Sequence, residues 1–236
     1  MPRKEHEHRL LDNESADWAT AGVLVALAVA ICLLMAISST RDNLQHLDDA
    51  FLRTVESHRA GWLTAVAKVL NVLGSVKVTL PVRALAAVYL ALRRRWWHLI
   101  AFTSAIILAE ALTGTLKSIF DRARPPHALV HTSGSSFPSG HALATAVTAV
   151  ALVIAFLPTG RQRAIWGTAA AVFAFLMALS RAYLAAHWLS DAVAGTLIGV
   201  SCALVPALVV EEIRDRAEER ESHAEEREAH APPGSG

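Results

Sequence analysis

Residues 18–39 contain no charged side chain and consist mainly of alanine, valine, leucine and isoleucine. A run of that length can cross a hydrocarbon core, which takes about 20 residues. The apolar region of a cleaved signal peptide is shorter, about 7–15 residues, and ends at a small-residue cleavage site. This run is longer and is followed by others, so it reads as a retained membrane anchor. Residues 76–92 carry only Lys77 and Arg83, and residues 97–116 only His98 and Glu110. Residues 141–157 are uncharged after His141, residues 164–179 are uncharged throughout, and residues 188–210 carry only Asp191. Residues 47–73 are different. Phe51, Leu52, Val55, Trp62, Leu63, Val66 and Leu70 recur at helical spacing between Arg53, Glu56, His58, Arg59 and Lys68, the pattern of an amphipathic helix lying in the interface. The expected fold is therefore all-α: a polytopic membrane protein with six transmembrane helices in a bundle and an interfacial amphipathic helix between the first two. The expected division is an N-terminal segment (1–17), a membrane domain (18–210) and a charged tail (211–236).

The composition excludes two other classes. With 53% hydrophobic and 18% charged residues the chain cannot be a solvated disordered polymer. A net charge of +1 gives nucleic acid no driving force to bind. Cys32 and Cys202 both lie in apolar runs, where packing is their expected role.

Charge bias sets the expected orientation. Arg93-Arg94-Arg95 and the Arg161 and Arg163 connection hold positive charge without acids, and the N-terminal segment adds Arg3, Lys4 and Arg9. If six spans alternate, these fall on one side. Both termini are then cytoplasmic, and the protein sits as a multi-pass protein in the cytoplasmic membrane. The tail from Glu211 onward reads as a solvated helical extension with pairs such as Glu212–Arg216, and the final APPGSG as disordered. Pro206 is expected only to kink the last span.

On this topology three polar clusters meet at the extracytoplasmic face: residues 117–125, residues 138–141 and residues 180–191. Lys117, Arg124 and Arg181 are cations at span ends, costly there unless they meet an anion, and arginine grips phosphate through two donors at once. Ser139 and Gly140 stand at the start of a helix, where backbone N–H groups and the dipole favour an anion. His187 and Asp191 are four residues apart and share a helix face. A carboxylate there can accept the Nδ1 proton of His187 and leave Nε2 free as a nucleophile. His141, from another helix, can donate a proton to a leaving oxygen. A nucleophile, a proton donor and a cationic cradle describe phosphoryl transfer through a phosphohistidine.

The same residues resemble a known signature. Lys117 with Arg124-Pro125 seven positions on, then Pro138-Ser139-Gly140-His141, then Ser180-Arg181, His187 and Asp191 resemble the three-part motif of the type 2 phosphatidic acid phosphatases in order and internal spacing. The resemblance implies His187 as nucleophile, Asp191 as its orienting partner, and His141 as general acid that later helps activate water. It implies that Lys117, Arg124, Ser139, Gly140 and Arg181 hold the phosphoryl oxygens, with Pro125 and Pro138 shaping the loop and Ser180 supporting Arg181. It implies a metal-independent enzyme with no cofactor, in keeping with a sequence that lacks a carboxylate cluster for magnesium or a His/Cys set for zinc.

The expected substrate is an amphiphile whose phosphate lies at headgroup depth, with phosphatidic acid, lysophosphatidic acid, phosphatidylglycerol phosphate and polyprenyl pyrophosphate as candidates. A lipid phosphotransferase would use the same residues, and a non-catalytic membrane protein could share the scaffold. Vanadium-dependent haloperoxidases resemble the same motif, but are typically soluble. Outside the motif, Glu110 is expected to buttress the bundle by pairing with a cation such as Arg83, and Asp121, Arg122, His127 and His131 are expected to face solvent.

Overall fold

The computed structural model describes residues 9–11 and 14–229. Eight helices follow in order: α1 (Glu14–Ala36), α2 (Ser38–Ser57), α3 (Gly61–Leu73), α4 (Val76–Leu92), α5 (Trp96–Phe120), α6 (Gly140–Phe156), α7 (Arg161–Tyr183) and α8 (Leu189–Ala229). No strand occurs among the described residues. Arg3, Lys4 and the APPGSG end lie outside them.

The all-helical membrane architecture holds, but the spans are not six uniform ones. Helices α1, α5, α7 and α8 are long and apolar enough to cross a membrane. Helices α3 and α4 meet at a 44° bend and are apolar and long enough, taken together, for one broken span or a re-entrant loop. Helix α6 has 17 residues, about 25 Å at the α-helical rise, and is enclosed by α4, α5, α7 and α8. A short helix suffices there because its neighbours, rather than lipid, surround it.

The expected single amphipathic helix over 47–73 is two helices. The chain leaves α1 at Ile37, whose backbone is extended, and restarts at once as α2, nine residues earlier than the apolar spacing begins. Helix α2 is amphipathic and buries Asp48 and Leu52. It stops at His58, where the Ser57 and His58 side chains bond to the Thr54 carbonyl and to each other. Helix α3 packs on α7, and its first backbone turn meets the Tyr183 hydroxyl.

Helices α6 and α8 cross with their backbones in close contact. A methyl group built on Gly195 would lie 2.5 Å from the Ser139 carbonyl oxygen, and one on Gly199 would lie 2.5 Å from that of Leu143. Small residues four apart are the usual way for membrane helices to bring their backbones together. The contact locks the start of α6 against the first turns of α8, where Ser139 N–H donates to the Asp191 carbonyl at 3.0 Å.

Inside the bundle, Arg83 of α4 is buried and donates to Glu110 at 2.7 Å, to Thr148 Oγ1 at 2.8 Å and to the Ala144 carbonyl at 3.2 Å. Glu110 thus takes the buttress pairing read from the sequence. At the opposite end from residues 117–125, Arg163 donates to the carbonyls of Arg9, Leu10 and Leu157, and Glu211 accepts from Arg9 at 3.0 Å and from the Leu10 N–H at 3.1 Å. The beginning of the tail is therefore docked rather than solvated: Glu211 is 1% exposed and Arg214 is 6% exposed. The Glu212–Arg216 pair forms further out, at 2.7 Å.

Gly195→Ala is expected to lower the melting temperature of the detergent-purified protein by several degrees, because its new methyl has only backbone to displace. Gly167→Ala, with nothing within 4 Å of the added carbon, is expected to leave it unchanged or raise it slightly. Equal melting temperatures for both variants would contradict the tight crossing.

Candidate active site

Four helix ends converge at one end of the bundle: the C-terminal ends of α5 and α7 and the N-terminal ends of α6 and α8. Lys117 sits in the last turn of α5. Asp121 then adopts a left-handed backbone (φ 37°) and ends that helix. The loop from 121 to 139 folds back over the site, with Ser136 N–H donating to the Arg122 carbonyl at 2.8 Å and Leu129 N–H to the Leu184 carbonyl at 2.9 Å. Pro125 and Pro138 are both buried in this loop, the latter after a cis peptide bond. Ser139 caps α6, with Gly140 and His141 in its first turn. The turn between α7 and α8 closes when the Ala186 N–H and the His187 N–H both donate to the Arg181 carbonyl, which carries His187 over the end of α6.

Two of the cations are held by backbone oxygens and the third by a side chain. Lys117 Nζ donates to the Ser135 carbonyl at 2.7 Å. Arg124 donates to the carbonyls of Ser133 at 2.7 Å, Gly134 at 2.9 Å, Ser135 at 3.2 Å and Ala186 at 2.6 Å. It thereby joins the 133–135 loop to the histidine turn. Arg181 is 2% exposed. Its Nη1 donates to the Asn71 side chain of α3, and its Nε has no hydrogen-bond partner among the described residues. Ser180 is buried and donates to the Met177 carbonyl one turn back. Lys117, Arg124 and Arg181 have no carboxylate partner among the described residues. A buried cation needs a counter-charge, so this end of the bundle is built for an anion.

His187 is 3% exposed. Its Nδ1 lies 2.7 Å from the Ser136 carbonyl and its Nε2 lies 3.2 Å from Arg124 Nη1. A carbonyl can only accept and a guanidinium can only donate. The ring therefore carries its proton on Nδ1 and a lone pair on Nε2, facing the cations. Burial pushes the His187 imidazole down to about 4; Asp191 favours the proton, while Arg124 and Arg181 oppose it. The ring is neutral at pH 7. His141 stands within electrostatic reach of Arg181, His187 and Arg124.

Two details differ from the sequence reading. The direct acceptor for His187 Nδ1 is the Ser136 carbonyl, not the Asp191 carboxylate, whose Oδ2 is 3.8 Å away. The oxygens of Asp191 are already engaged: Oδ1 by Arg122 at 2.5 Å, Oδ2 by the Trp188 N–H at 2.9 Å and by the Ser136 hydroxyl. Arg122, expected in solvent, is buried, because this carboxylate gives it an internal partner. Asp121, His127 and His131 are exposed as expected. Ser136, Asn71 and Arg122 were missed by the sequence reading. Nothing in a local pattern marks a carbonyl acceptor or a partner on a distant helix.

Residues 98–215, half of the chain, match the model of the PAP2 superfamily. The chain belongs to the PAP2 superfamily. It is 31% identical over 214 residues to the decaprenylphosphoryl-5-phosphoribose phosphatase of Mycobacterium tuberculosis, covering 88% of this chain and 99% of that protein. It is 28% identical over 173 residues to phosphatidylglycerophosphatase B of Bacillus subtilis, covering 71% of this chain and 85% of that protein. The crystal structure of a transmembrane PAP2-type phosphatidylglycerolphosphate phosphatase from Bacillus subtilis shares the fold, with a TM-score of 0.68 over 83% of this chain and 96% of that one at 24% identity. This PAP2 protein is thus a multi-pass membrane phosphatase of the lipid-phosphatase class.

The neutral state of His187 has a measurable consequence. Its folded value of about 4 lies below the ordinary 6.5, so between those pH values the unfolded chain binds more protons than the native one. The contribution of His187 is complete above pH 6.5 and is lost as the pH falls toward 4. Parent protein is expected to lose more melting temperature between pH 7 and pH 4.5 than His187→Gln does. Equal losses would show that His187 is not held neutral.

Proposed function

We propose that this PAP2 protein dephosphorylates a membrane lipid through a phosphohistidine on His187. The observation that carries the reading is the His187 Nε2 lone pair, 3.2 Å from Arg124, among three cations without carboxylate partners. Lys117, Arg124, Arg181 and the start of α6 bind the phosphoryl oxygens. Nε2 attacks phosphorus and the bond from phosphorus to the leaving oxygen breaks. His141, in its imidazolium form once the negative phosphate lies beside it, gives that oxygen its proton. A water then attacks the phosphorus, His141 takes a proton from it, and the phosphorus–nitrogen bond breaks to release phosphate and neutral His187. Asp191 acts at one remove, by fixing Ser136 and the turn before α8.

The substrate is a lipid phosphomonoester or pyrophosphate. Phosphate at a helix end, beside Trp188 and between apolar spans, suits an amphiphile with its chain in the bilayer. The named activities of the relatives on phosphatidylglycerophosphate and on a polyprenyl-linked phosphate support that class. We place the site at the extracytoplasmic face of a six-span bundle, counting α3–α4 as one span and α6 as another. The support is the grouping at the opposite end of Arg163, Arg9 and the start of the charged tail, together with the Arg93–Arg95 run, since short basic connections stay cytoplasmic.

The test is phosphate release in detergent across phosphatidic acid, lysophosphatidic acid, phosphatidylglycerol phosphate and polyprenyl pyrophosphate. His187→Ala is expected to reduce kcat on the best substrate on the order of 10^3-fold or more, and the parent is expected to keep its rate in EDTA and lose it in orthovanadate. Turnover by His187→Ala near the parental rate would overturn the phosphohistidine. Loss in EDTA restored by magnesium would overturn the metal-free cradle.

A further inference from the structure

The far side of Asp191 opens into a second buried polar cluster that the phosphoryl chemistry does not itself require. Its centre is Arg122, which lies between the motif residues Lys117 and Arg124. One guanidinium nitrogen, Nη1, donates to Asp191 Oδ1 at 2.5 Å and to Ser190 Oγ at 2.8 Å. The other, Nη2, donates to Asp48 Oδ2 at 2.8 Å and to Gln45 Oε1 at 2.7 Å. Asp48 also accepts from the Ser190 N–H at 2.9 Å and from the Ser190 hydroxyl at 2.5 Å. The Arg122 guanidinium carbon is 5.5 Å from the centre of the Trp188 ring, and Trp188 Nε1 donates to the Ala123 carbonyl at 2.9 Å. The side chains of Arg122, Asp48 and Asp191 are 7%, 2% and 0% exposed.

Two carboxylates thus share one buried guanidinium, one from the start of α8 and one from α2, 143 positions earlier in the chain. The planar fork fixes both at once, which a lysine ammonium cannot do. The Asp48 carboxylate also sits on the N-terminal N–H of Ser190, where the helix dipole favours it. From Asp191 the chain of contacts continues inward. Its Oδ2 takes the Ser136 hydroxyl, and the Ser136 carbonyl takes His187 Nδ1 at 2.7 Å. Arg122 also holds Ser136 from the other side, its carbonyl accepting the Ser136 N–H at 2.8 Å. The orientation of the His187 ring is therefore set by a carbonyl whose residue is held twice by Arg122, once directly and once through Asp191.

We propose that Arg122 and Asp48 are positioning residues for phosphoryl transfer, and that α2 is bolted to the active site through them so that the His187 lone pair is aimed at the bound phosphorus. This rests on the phosphohistidine reading of His187. Neither residue touches the phosphate, so their loss misaims the nucleophile while leaving Lys117, Arg124 and Arg181 to bind the substrate. A misplacement of about 1 Å in a reacting group can cost on the order of a hundredfold in rate.

The experiment measures kcat and KM for the best lipid phosphate with Arg122→Lys, Asp48→Asn, the double variant and His187→Ala. Each is assayed well below its own melting temperature and normalised to monodisperse protein. Arg122→Lys is expected to lower kcat about 30-fold or more, and Asp48→Asn about threefold to tenfold, with KM within about twofold of the parent in both. The double variant is expected to be no slower than Arg122→Lys by more than about twofold, because both act on one chain of contacts. A kcat within twofold of the parent for Asp48→Asn, which keeps the shape of the side chain and decides the matter if Arg122→Lys does not fold, would overturn the proposal. So would a change confined to KM, or two independent, multiplying losses in the double variant. His187→Ala separates the two readings. If it retains turnover, the phosphohistidine fails. If it is inactive while Arg122→Lys and Asp48→Asn keep full kcat, the positioning chain alone fails.

Discussion

Everything at the site end of this molecule answers to one electrostatic imbalance. Lys117, Arg124 and Arg181 are brought together near the N-terminus of α6 with no carboxylate in salt-bridge contact among the described residues, while the acid in the motif, Asp191, is already matched by Arg122. Backbone carbonyls solvate Lys117 and Arg124, and the Asn71 side-chain oxygen meets Arg181. Lys117 and Arg124 share the Ser135 oxygen, and Arg124 alone spans four carbonyls. Hydrogen bonds to carbonyl dipoles soften the desolvation cost without cancelling the charge. What remains is a cluster of positive charge whose electrostatics favour an anion. Burial, with the nearby Arg124 and Arg181 acting in the same direction, keeps the His187 imidazole neutral.

The fold supplies the geometry by an unusually close backbone contact. Gly195 and Gly199 let α8 lie against the first turns of α6, so the anion-favouring end of α6 is held directly against the helix that follows the His187 turn. The opposite end is tied by Arg163, Arg9 and Glu211, which join the N-terminal segment, the α6–α7 connection and the start of the tail. Stabilising ties thus sit at both ends of the bundle. The functional ones are polar and buried, and helices α2 and α3 reach into them with Asp48 and Asn71.

Much of this was legible in the sequence because it is local or periodic. The apolar runs located α1, α5, α7 and α8 as helices able to cross a membrane, and the three-part motif located Lys117, Arg124, Ser139, Gly140, His141, Arg181, His187 and Asp191, which the structure brings to one end of the bundle. Glu110 and Arg83 could be paired because an intramembrane acid and cation have few other partners. What was not legible depends on contacts between distant segments. The i,i+4 spacing placed Asp191 on the face of His187 but could not show that Trp188, Ser136 and Arg122 saturate its oxygens. Arg122 looked solvated because its partners lie on α2 and α8. The break at residues 58–60 was hidden by apolar spacing that runs on through it, although side-chain bonds from Ser57 and His58 end the helix there.

The proposed chemistry requires His187 to carry the phosphoryl group during turnover. The most direct measurement is to quench the enzyme in alkali, which preserves phosphohistidine, during turnover of a lipid labelled in the phosphate to be removed. The position of the label is then mapped by peptide mass spectrometry. Label is expected on His187 alone, appearing no more slowly than phosphate is released. Label on another residue, or steady phosphate release with His187 never labelled, would contradict it.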